Sequence, residues 1–399
     1  MSYLLFTHND MAVQSWEQRT AAPATPPKKP KGFFREWGDA ILFAVVAATL
    51  IRWATFEAYT IPTPSMEHSL LVGDYLFVSK LHYGPRTPQT PLQVPLTHQT
   101  IWGTDMKSYS EALQLPSYRL PGFSEIKGGD VVVFNVPFES QHPADLRTNY
   151  IKRCVAVAGD VLEIKDTQVF VNGKPMTNPP QSQNRYFLQV NEPIRDKVFR
   201  DQGVSDFNNP SGIPQPQFSQ FGPAYMVDAT PATAAYFKQQ PFVKGVVQDK
   251  SPAGQAEPDV FPNNPDYPHS QPASPVRFKW NRDNYGPLQL PKKGQTVKLT
   301  PENTPIYEKI ILRYERNEGI TVIDGVIKQN GQPLTSYTFK QNYYFMMGDN
   351  RHDSLDSRYW GFVPEDHIVG KAVLIWLSVD PYADFFHKIR WSRLFNLIG

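Results

Sequence analysis

The chain has 399 residues, with 40 Lys plus Arg against 38 Asp plus Glu and a formal net charge of +2. The basic residues are spread along it without the clustered stripe that nucleic-acid binding favours, so nucleic acid is not an expected partner. A single cysteine, Cys154, excludes an intramolecular disulfide, and the length predicts one large elaborated domain or two domains.

Residues 1–36 read as a tail, with weak periodicity and then the Pro and Lys cluster Pro26-Pro27-Lys28-Lys29-Pro30-Lys31. The character changes at Trp37. From there to Phe56 the chain is largely apolar, and residues 40–51 carry no charge. The stretch is close to the about 20 residues with which a helix crosses a bilayer. Asp39 and Arg52 stand near its ends, where charged groups reach water, and Trp37 and Trp53 suit the headgroup level. Residues 37–57 are therefore expected to be a transmembrane anchor, a buried core helix being the alternative. The residues from Glu57 on, Glu57-Ala58-Tyr59-Thr60-Ile61-Pro62, do not form a small-residue cleavage site, so the anchor reads as uncleaved. Lys28, Lys29, Lys31 and Arg35 precede it, and the positive-inside tendency keeps the tail in the cytoplasm and sends the rest outside. The expected location is the cytoplasmic (inner) membrane, single-pass, with membrane lipid as a partner.

Directly after the anchor comes Ile61-Pro62-Thr63-Pro64-Ser65-Met66. Ser65 is a candidate nucleophile at the membrane surface, and a serine hydroxyl needs a base to take its proton near neutrality. Lys152 is the candidate base. It lies in Asn149-Tyr150-Ile151-Lys152-Arg153-Cys154-Val155, whose alternating apolar residues predict a strand that holds one lysine in a dry site. A lysine with its solution pKa of about 10.4 accepts nothing near neutrality, and burial that lowers it to roughly 8 costs about 3 kcal/mol. His68 is the alternative base, but no motif supplies its partnering carboxylate. Cys154 reads as a small core residue on the same strand.

Beyond the anchor the pattern is mostly β. Short runs of β-branched and aromatic residues at 74–80, 130–136, 161–164 and 168–171 are bounded by Gly, Asp or Pro, and Asn172-Gly173 and Asn330-Gly331 are hairpin dipeptides. Between residues 178 and 291 the composition shifts to Pro, Gln, Asn and Ser, as in Pro210-Ser211-Gly212-Ile213-Pro214-Gln215-Pro216. Tyr186, Phe187, Phe199 and Tyr225 within it argue against full disorder. A loop-rich inserted lobe with short strands is expected there, a binding surface or a spacer. Residues 297–299, 310–314 and 319–326 again read as strands. The expected fold is mainly β, a twisted, barrel-like antiparallel catalytic domain with little helix outside the membrane. Its two parts, 58–177 and 298–380, flank the insertion at 178–297.

The block from Gly348 to Gly361 is dense in charge and turn formers yet flanked by apolar strands, a common setting for site residues. Asp349, Asp353, Asp356, Arg351 and Arg358 are candidates for ion pairs that fix this loop, and Ser354 for orienting a neighbour. The arginines disfavour a bound cation, and the calcium-loop spacing is absent, so no metal is expected. The last segment, 381–399, mixes bulky apolar with basic residues, as in Phe386-His387-Lys388-Ile389-Arg390-Trp391. It reads as an interfacial amphipathic helix or as a packed terminal helix.

Ile61-Pro62-Thr63-Pro64-Ser65-Met66, Gly73-Asp74-Tyr75-Leu76-Phe77-Val78-Ser79-Lys80, Gly129-Asp130-Val131-Val132-Val133-Phe134, Tyr150-Ile151-Lys152-Arg153 with Gly159-Asp160, and the block from Gly348 to Gly361 resemble, in order, the signature boxes of bacterial type I signal peptidases, the leader peptidase family. The resemblance covers the anchor and these boxes and leaves the lobe unexplained. It implies that Ser65 is the acylating nucleophile and Lys152 its general base. It also implies that Thr63 and the backbone N–H of Ser65 bind the oxyanion, that Ser354 hydrogen-bonds the lysine, and that Arg153, Asp349, Asp356 and Arg358 brace the site by ion pairing. The implied reaction is cleavage of signal peptides from exported preproteins by a serine endopeptidase without a metal or organic cofactor. The substrate would lie extended, with shallow pockets for small side chains one and three residues before the cut. Two departures touch the nucleophile's surroundings: Pro64 replaces a glycine often found there, and Glu67-His68-Ser69-Leu70 stands where the family usually has a residue followed by Pro-Thr-Leu. A self-cleaving repressor type of serine-lysine peptidase, a membrane-anchored binding protein that keeps the fold without activity, and a signal peptidase regulated by its own Pro-rich lobe are the rival readings.

Overall fold

The computed structural model describes residues 32–204, 217–219, 222–264, 267–268, 271, 276–381, 383–384 and 386–399. Most of the expected tail, the stretch from Pro210 to Pro216 and Phe385 lie outside the described residues. Helix α1, Phe33–Ala54, has 22 residues, none of them buried. At 1.5 Å per residue it is about 33 Å long, enough for the hydrocarbon core of a bilayer. It starts before the expected anchor and ends before Glu57, which belongs to the first strand. Residues 48–399 form one compact unit.

That unit is mainly β, and its principal sheet is a curled antiparallel half-barrel. In chain order its strands are β1 (Phe56–Thr60), β2 (Asp74–Ser79), β3 (Val131–Asn135), β4 (Asn149–Ala156), β5 (Tyr343–Met347), β6 (Val363–Pro364), β7 (Ile368–Ser378) and β8 (Asn396–Leu397). Their order across the sheet is β1-β2-β7-β3-β4-β5-β6, with β8 added to β7. Register slips in the β2–β7 pairing between Tyr75 and Leu76 and between Phe77 and Val78. Such irregularities bend and twist a sheet, and the turn Pro64–Met66 comes to lie against β4. Alternation then sorts the side chains. Ile61, Met66, Leu70, Leu76, Val131 and Val133 fill one core, while Val132, Phe134, Cys154, Met346 and Trp360 fill another. Each such side chain contributes about 1.5–3 kcal/mol when fully buried.

A second sheet carries Val161–Lys165, Gln168–Val171, Lys174–Pro175 and Tyr285–Gln289. Asn172 and Gly173 both have positive φ and close one of its hairpins, the conformation for which Asn-Gly is selected. A further sheet of Asn184–Val190, Gln217–Ser219, Gly222–Ala229 and Val243–Gln248 lies within the expected insertion. The helix Pro231–Lys238 packs on it, capped by Thr230, whose hydroxyl accepts from the Thr233 N–H. Tyr186, Leu188, Phe199, Val227 and Phe237 give this lobe a core of its own.

Two expectations are corrected. Residues 310–314 are not a strand but the helical turn Ile310–Tyr314, which continues the helix Thr304–Lys309. Pro305 opens that helix, and Tyr307, Ile310, Ile311 and Tyr314 bury one helical face; a short apolar run fits either period. The last segment is not an extended helix either. It makes the single turn Trp391–Arg393 and then β8, which pairs with Leu374 and Ile375. Arg393 ties it to Asp74 at 2.6 Å, and Arg390 donates to the Val72 carbonyl at 2.9 Å.

Candidate active site

Ser65 sits on the single 3-10 turn Pro64–Met66 that comes after β1, with the Thr63 backbone extended before it. The Glu67 N–H closes the turn on the Pro64 carbonyl at 2.8 Å. Proline suits this place because its fixed φ matches an opening helical residue and its missing N–H would have had no acceptor there. Ser65 is itself an opening residue, and such N–H groups lack an intrahelical partner. Thr63 is exposed, and its side chain does not cap the turn. The Thr63 hydroxyl thus takes no part in closing the turn.

The sheet brings Lys152 from β4 to this turn. Its Nζ lies 2.7 Å from Ser65 Oγ and donates to the Ile151 carbonyl at 3.0 Å. The lysine is 4% exposed. Burial lowers the amine's pKa from 10.5 to about 8, against the opposing pull of Asp356, Asp349 and Asp353. The Tyr150 ring centroid is 5.3 Å from the nitrogen. A desolvated amine with that basicity is about one-tenth neutral at pH 7, which suffices for a base.

The loop between β5 and β6 closes the site. Gly348 N–H donates to Asp356 Oδ2 at 3.1 Å, and Asn350 N–H donates to the Ser65 carbonyl at 3.2 Å. Arg153, adjacent to the lysine, grips Asp349 from Nε at 2.9 Å and from Nη2 at 2.8 Å, and Ser69 Oγ donates to the same carboxylate at 2.6 Å. Arg358 holds Asp356 at 2.9 and 2.8 Å. This keeps the Asp356 carboxyl below its ordinary pKa although burial opposes it. Both aspartates are fully buried, so each needs its guanidinium.

Arg153, Asp349, Asp356 and Arg358 are thus joined in pairs around the lysine. Ser354 is buried in the same loop, yet the hydrogen bonds of the Lys152 amine go to Ser65 and Ile151 and not to it. His68 turns away from Ser65, donating from Nε2 to the Gly203 carbonyl at 2.8 Å. Cys154 is fully buried, and its thiol is pushed well above the usual range by burial.

Three further residues shape the site without standing among the expected ones. Gly348 has no room for a side chain: a Cβ there would stand 2.3 Å from Ser354 Oγ and 2.5 Å from the Ser65 carbonyl oxygen. Tyr150 looks like an ordinary strand residue in the sequence, but its place two residues before the lysine puts both side chains on one face of β4. Gln183 exchanges backbone hydrogen bonds with the site loop, donating to Asp349 at 2.8 Å and accepting from Arg351 at 2.9 Å. No local pattern signals that pairing.

Comparison with known proteins gives the family of the chain. A family model described as signal peptidase, peptidase S26, matches residues 34–222 and 294–377, skipping much of the lobe. The chain is similar to a Signal peptidase I of Buchnera aphidicola subsp. Acyrthosiphon pisum (strain APS), 26% identical over 364 residues that cover 88% of this chain and 78% of the relative. It is 25% identical over 360 residues to a Signal peptidase I of Haemophilus influenzae, covering 90% and 74%. With a Signal peptidase I of Aquifex aeolicus the identity is 22% over 348 residues, covering 84% and 82%.

Proposed function

Because the chain belongs to the S26 family of signal peptidases, we propose that it is a membrane-anchored serine endopeptidase that removes signal peptides from exported preproteins, with Ser65 as nucleophile and Lys152 as general base. The observation that carries this is the 2.7 Å approach of a buried, weakly basic amine to a serine hydroxyl. Ser65 Oγ attacks the scissile carbonyl as its proton passes to Lys152 Nζ, giving a tetrahedral intermediate. The Ser65 N–H and the Thr63 hydroxyl stabilise its oxyanion, a contribution of about 3 kcal/mol for one such donor. The intermediate collapses as the lysine ammonium returns the proton to the leaving amine, which frees the mature chain. Water, deprotonated by the same amine, then attacks the ester on Ser65 and releases the signal peptide.

The ion pairs of Arg153 with Asp349 and of Arg358 with Asp356 hold the loop so that the amine and hydroxyl stay within reach. Helix α1 anchors the enzyme in the cytoplasmic membrane with the tail inside and the catalytic unit outside, where substrates are tethered too. Shared tethering raises their effective concentration. No cofactor takes part in these steps.

The test is hydrolysis of a signal-peptide substrate by wild type, Ser65→Ala and Lys152→Ala. Both variants are expected to lose at least roughly a thousandfold in kcat/KM. In wild type, kcat/KM should rise about tenfold per pH unit up to a pH of about 8 and then level off, because only the neutral amine is a base. Undiminished cleavage by Ser65→Ala would falsify the assignment. A binding protein without activity would instead show no cleavage by wild type.

A further inference from the structure

A cavity of about 580 Å3 lies where α1 runs into β1, and the chemistry above makes no use of it. Leu50 and Trp53 line it from the helix end, Glu57 and Tyr59 from β1, and Val94 and Leu96 from the Pro-rich segment after β2. Its inner end reaches Asn149, at the start of the strand that carries Lys152, and Val369 in the core beneath Ile61 and Met66. The cavity is therefore bordered by β1, which leads into the turn that carries Ser65, and by the start of β4, which carries Lys152.

Its charges are already matched. Arg52 and Lys80 both bind the Glu57 carboxylate, at 2.5 and 2.8 Å. Arg86 donates to Asn135 Oδ1 at 2.7 Å, and Asp145 accepts from the N–H groups of Gln89 and Thr90, each at 2.9 Å. Most of the surface left to an occupant is apolar, and Leu50, Val94 and Leu96 are 55%, 42% and 36% exposed.

Strand β1 pairs with β2 alone among the described residues, so its other edge is open. An extended peptide that adds to such an edge gains main-chain hydrogen bonds, and side-chain pockets along it supply selectivity. With its reacting carbonyl at Ser65, that peptide trails back along β1 toward the cavity. At about 3.3 Å per residue the cavity lies beside residues roughly four to seven before the cut. We propose that it is a substrate subsite for a large apolar side chain, such as Leu, Ile, Phe or Met, carried by the preprotein at one of those positions. This rests on the function proposed above and extends recognition beyond the small residues next to the cleaved bond.

The experiment compares kcat/KM of the full chain in detergent micelles on two synthetic preprotein peptides, one with Leu and one with Gly at all positions four to seven before the cut. The Leu peptide is expected to be cleaved at least tenfold better. In Val94→Trp and in Leu96→Trp, which fill the cavity, that ratio should fall to within twofold of one. Equal rates on both peptides in wild type, or a ratio that survives in both variants, would overturn the proposal. So would a loss of rate in the variants that is equal for both peptides and confined to phospholipid vesicles, since that would assign the space to a lipid chain. A peptide beginning three residues before the cut reports separately on the chemistry: if Ser65→Ala cleaves it as wild type does, the underlying function fails and not the subsite.

Discussion

Moving the Lys152 amine from water into its site lowers its pKa from 10.5 to about 8, and at about 1.4 kcal/mol per unit this costs roughly 3 kcal/mol. Proton counts give the sign. Between pH 8 and 10.5 the unfolded chain keeps a proton on this amine that the folded chain has released, so stability rises with pH across that window. Below pH 8 the penalty is complete. Lys152→Met keeps an unbranched side chain, one heavy atom shorter, and removes the charge. It should therefore raise unfolding free energy at pH 7 by about 2–3 kcal/mol while abolishing cleavage, with the gain shrinking toward pH 10. Thermal melts of both proteins in detergent at pH 7 and pH 10 check this. A variant that melts below wild type at pH 7 would mean that the amine is at ease where it sits. Serine, lysine and the strand pattern around Lys152 are legible in the chain because they depend on residue type and local periodicity. The partner of His68 is not, since Gly203 reaches it only through the fold of the lobe.

The loop between β5 and β6 shows what an element adds to its residues. Its charges announce ion pairs, and the Asp356–Arg358 pair is local enough to be guessed from spacing. The fit of Gly348 against Ser65 and Ser354 belongs to the assembled element alone. Real Cβ atoms do not approach other heavy atoms as closely as the 2.3 and 2.5 Å found here. Rotation takes the Ser354 hydroxyl away from an added methyl group but leaves its Cβ 2.6 Å from it, and the Ser65 carbonyl can yield only by moving the nucleophile's turn. Gly348→Ala should cost about 1–3 kcal/mol in stability and lower kcat by roughly a hundredfold, the effect of misplacing a reacting group by about 1 Å. Steady-state kinetics beside a melting curve separate the two effects. Wild-type kcat in a destabilised variant would show that the loop and turn shift together. The run at 310–314 illustrates the opposite limit of legibility. Its apolar residues satisfy a strand pattern, and only the helix opened by Pro305 decides the period.

At the scale of the molecule, the lobe is a module set into a finished sheet. Composition marks it as foreign because Pro, Gln and Asn interrupt both strand and helix patterns, but composition does not say which aromatics meet. The core of Tyr186, Phe199, Tyr225 and Phe237 draws on strands and helices far apart in the chain. The chain enters and leaves the module on neighbouring strands: Tyr186 is paired with Gln248, and Asp249 N–H donates to the Arg185 carbonyl at 2.9 Å. Residues 187–247 can therefore be replaced by Asn-Gly, since a two-residue turn closes an antiparallel pair of this kind. Gln183 and its two hydrogen bonds to the site loop stay in place. Close to Ser65, the replacement removes the hydrogen bond between His68 and Gly203. The shortened protein should keep the half-barrel and cleave a signal-peptide substrate with kcat/KM within roughly tenfold of wild type, because one neutral hydrogen bond contributes only about 0.5–1.5 kcal/mol. Circular dichroism and the cleavage assay measure the two halves of that expectation. A folded but inactive product would transfer part of the catalytic geometry to the lobe, acting through the His68 turn beside the nucleophile.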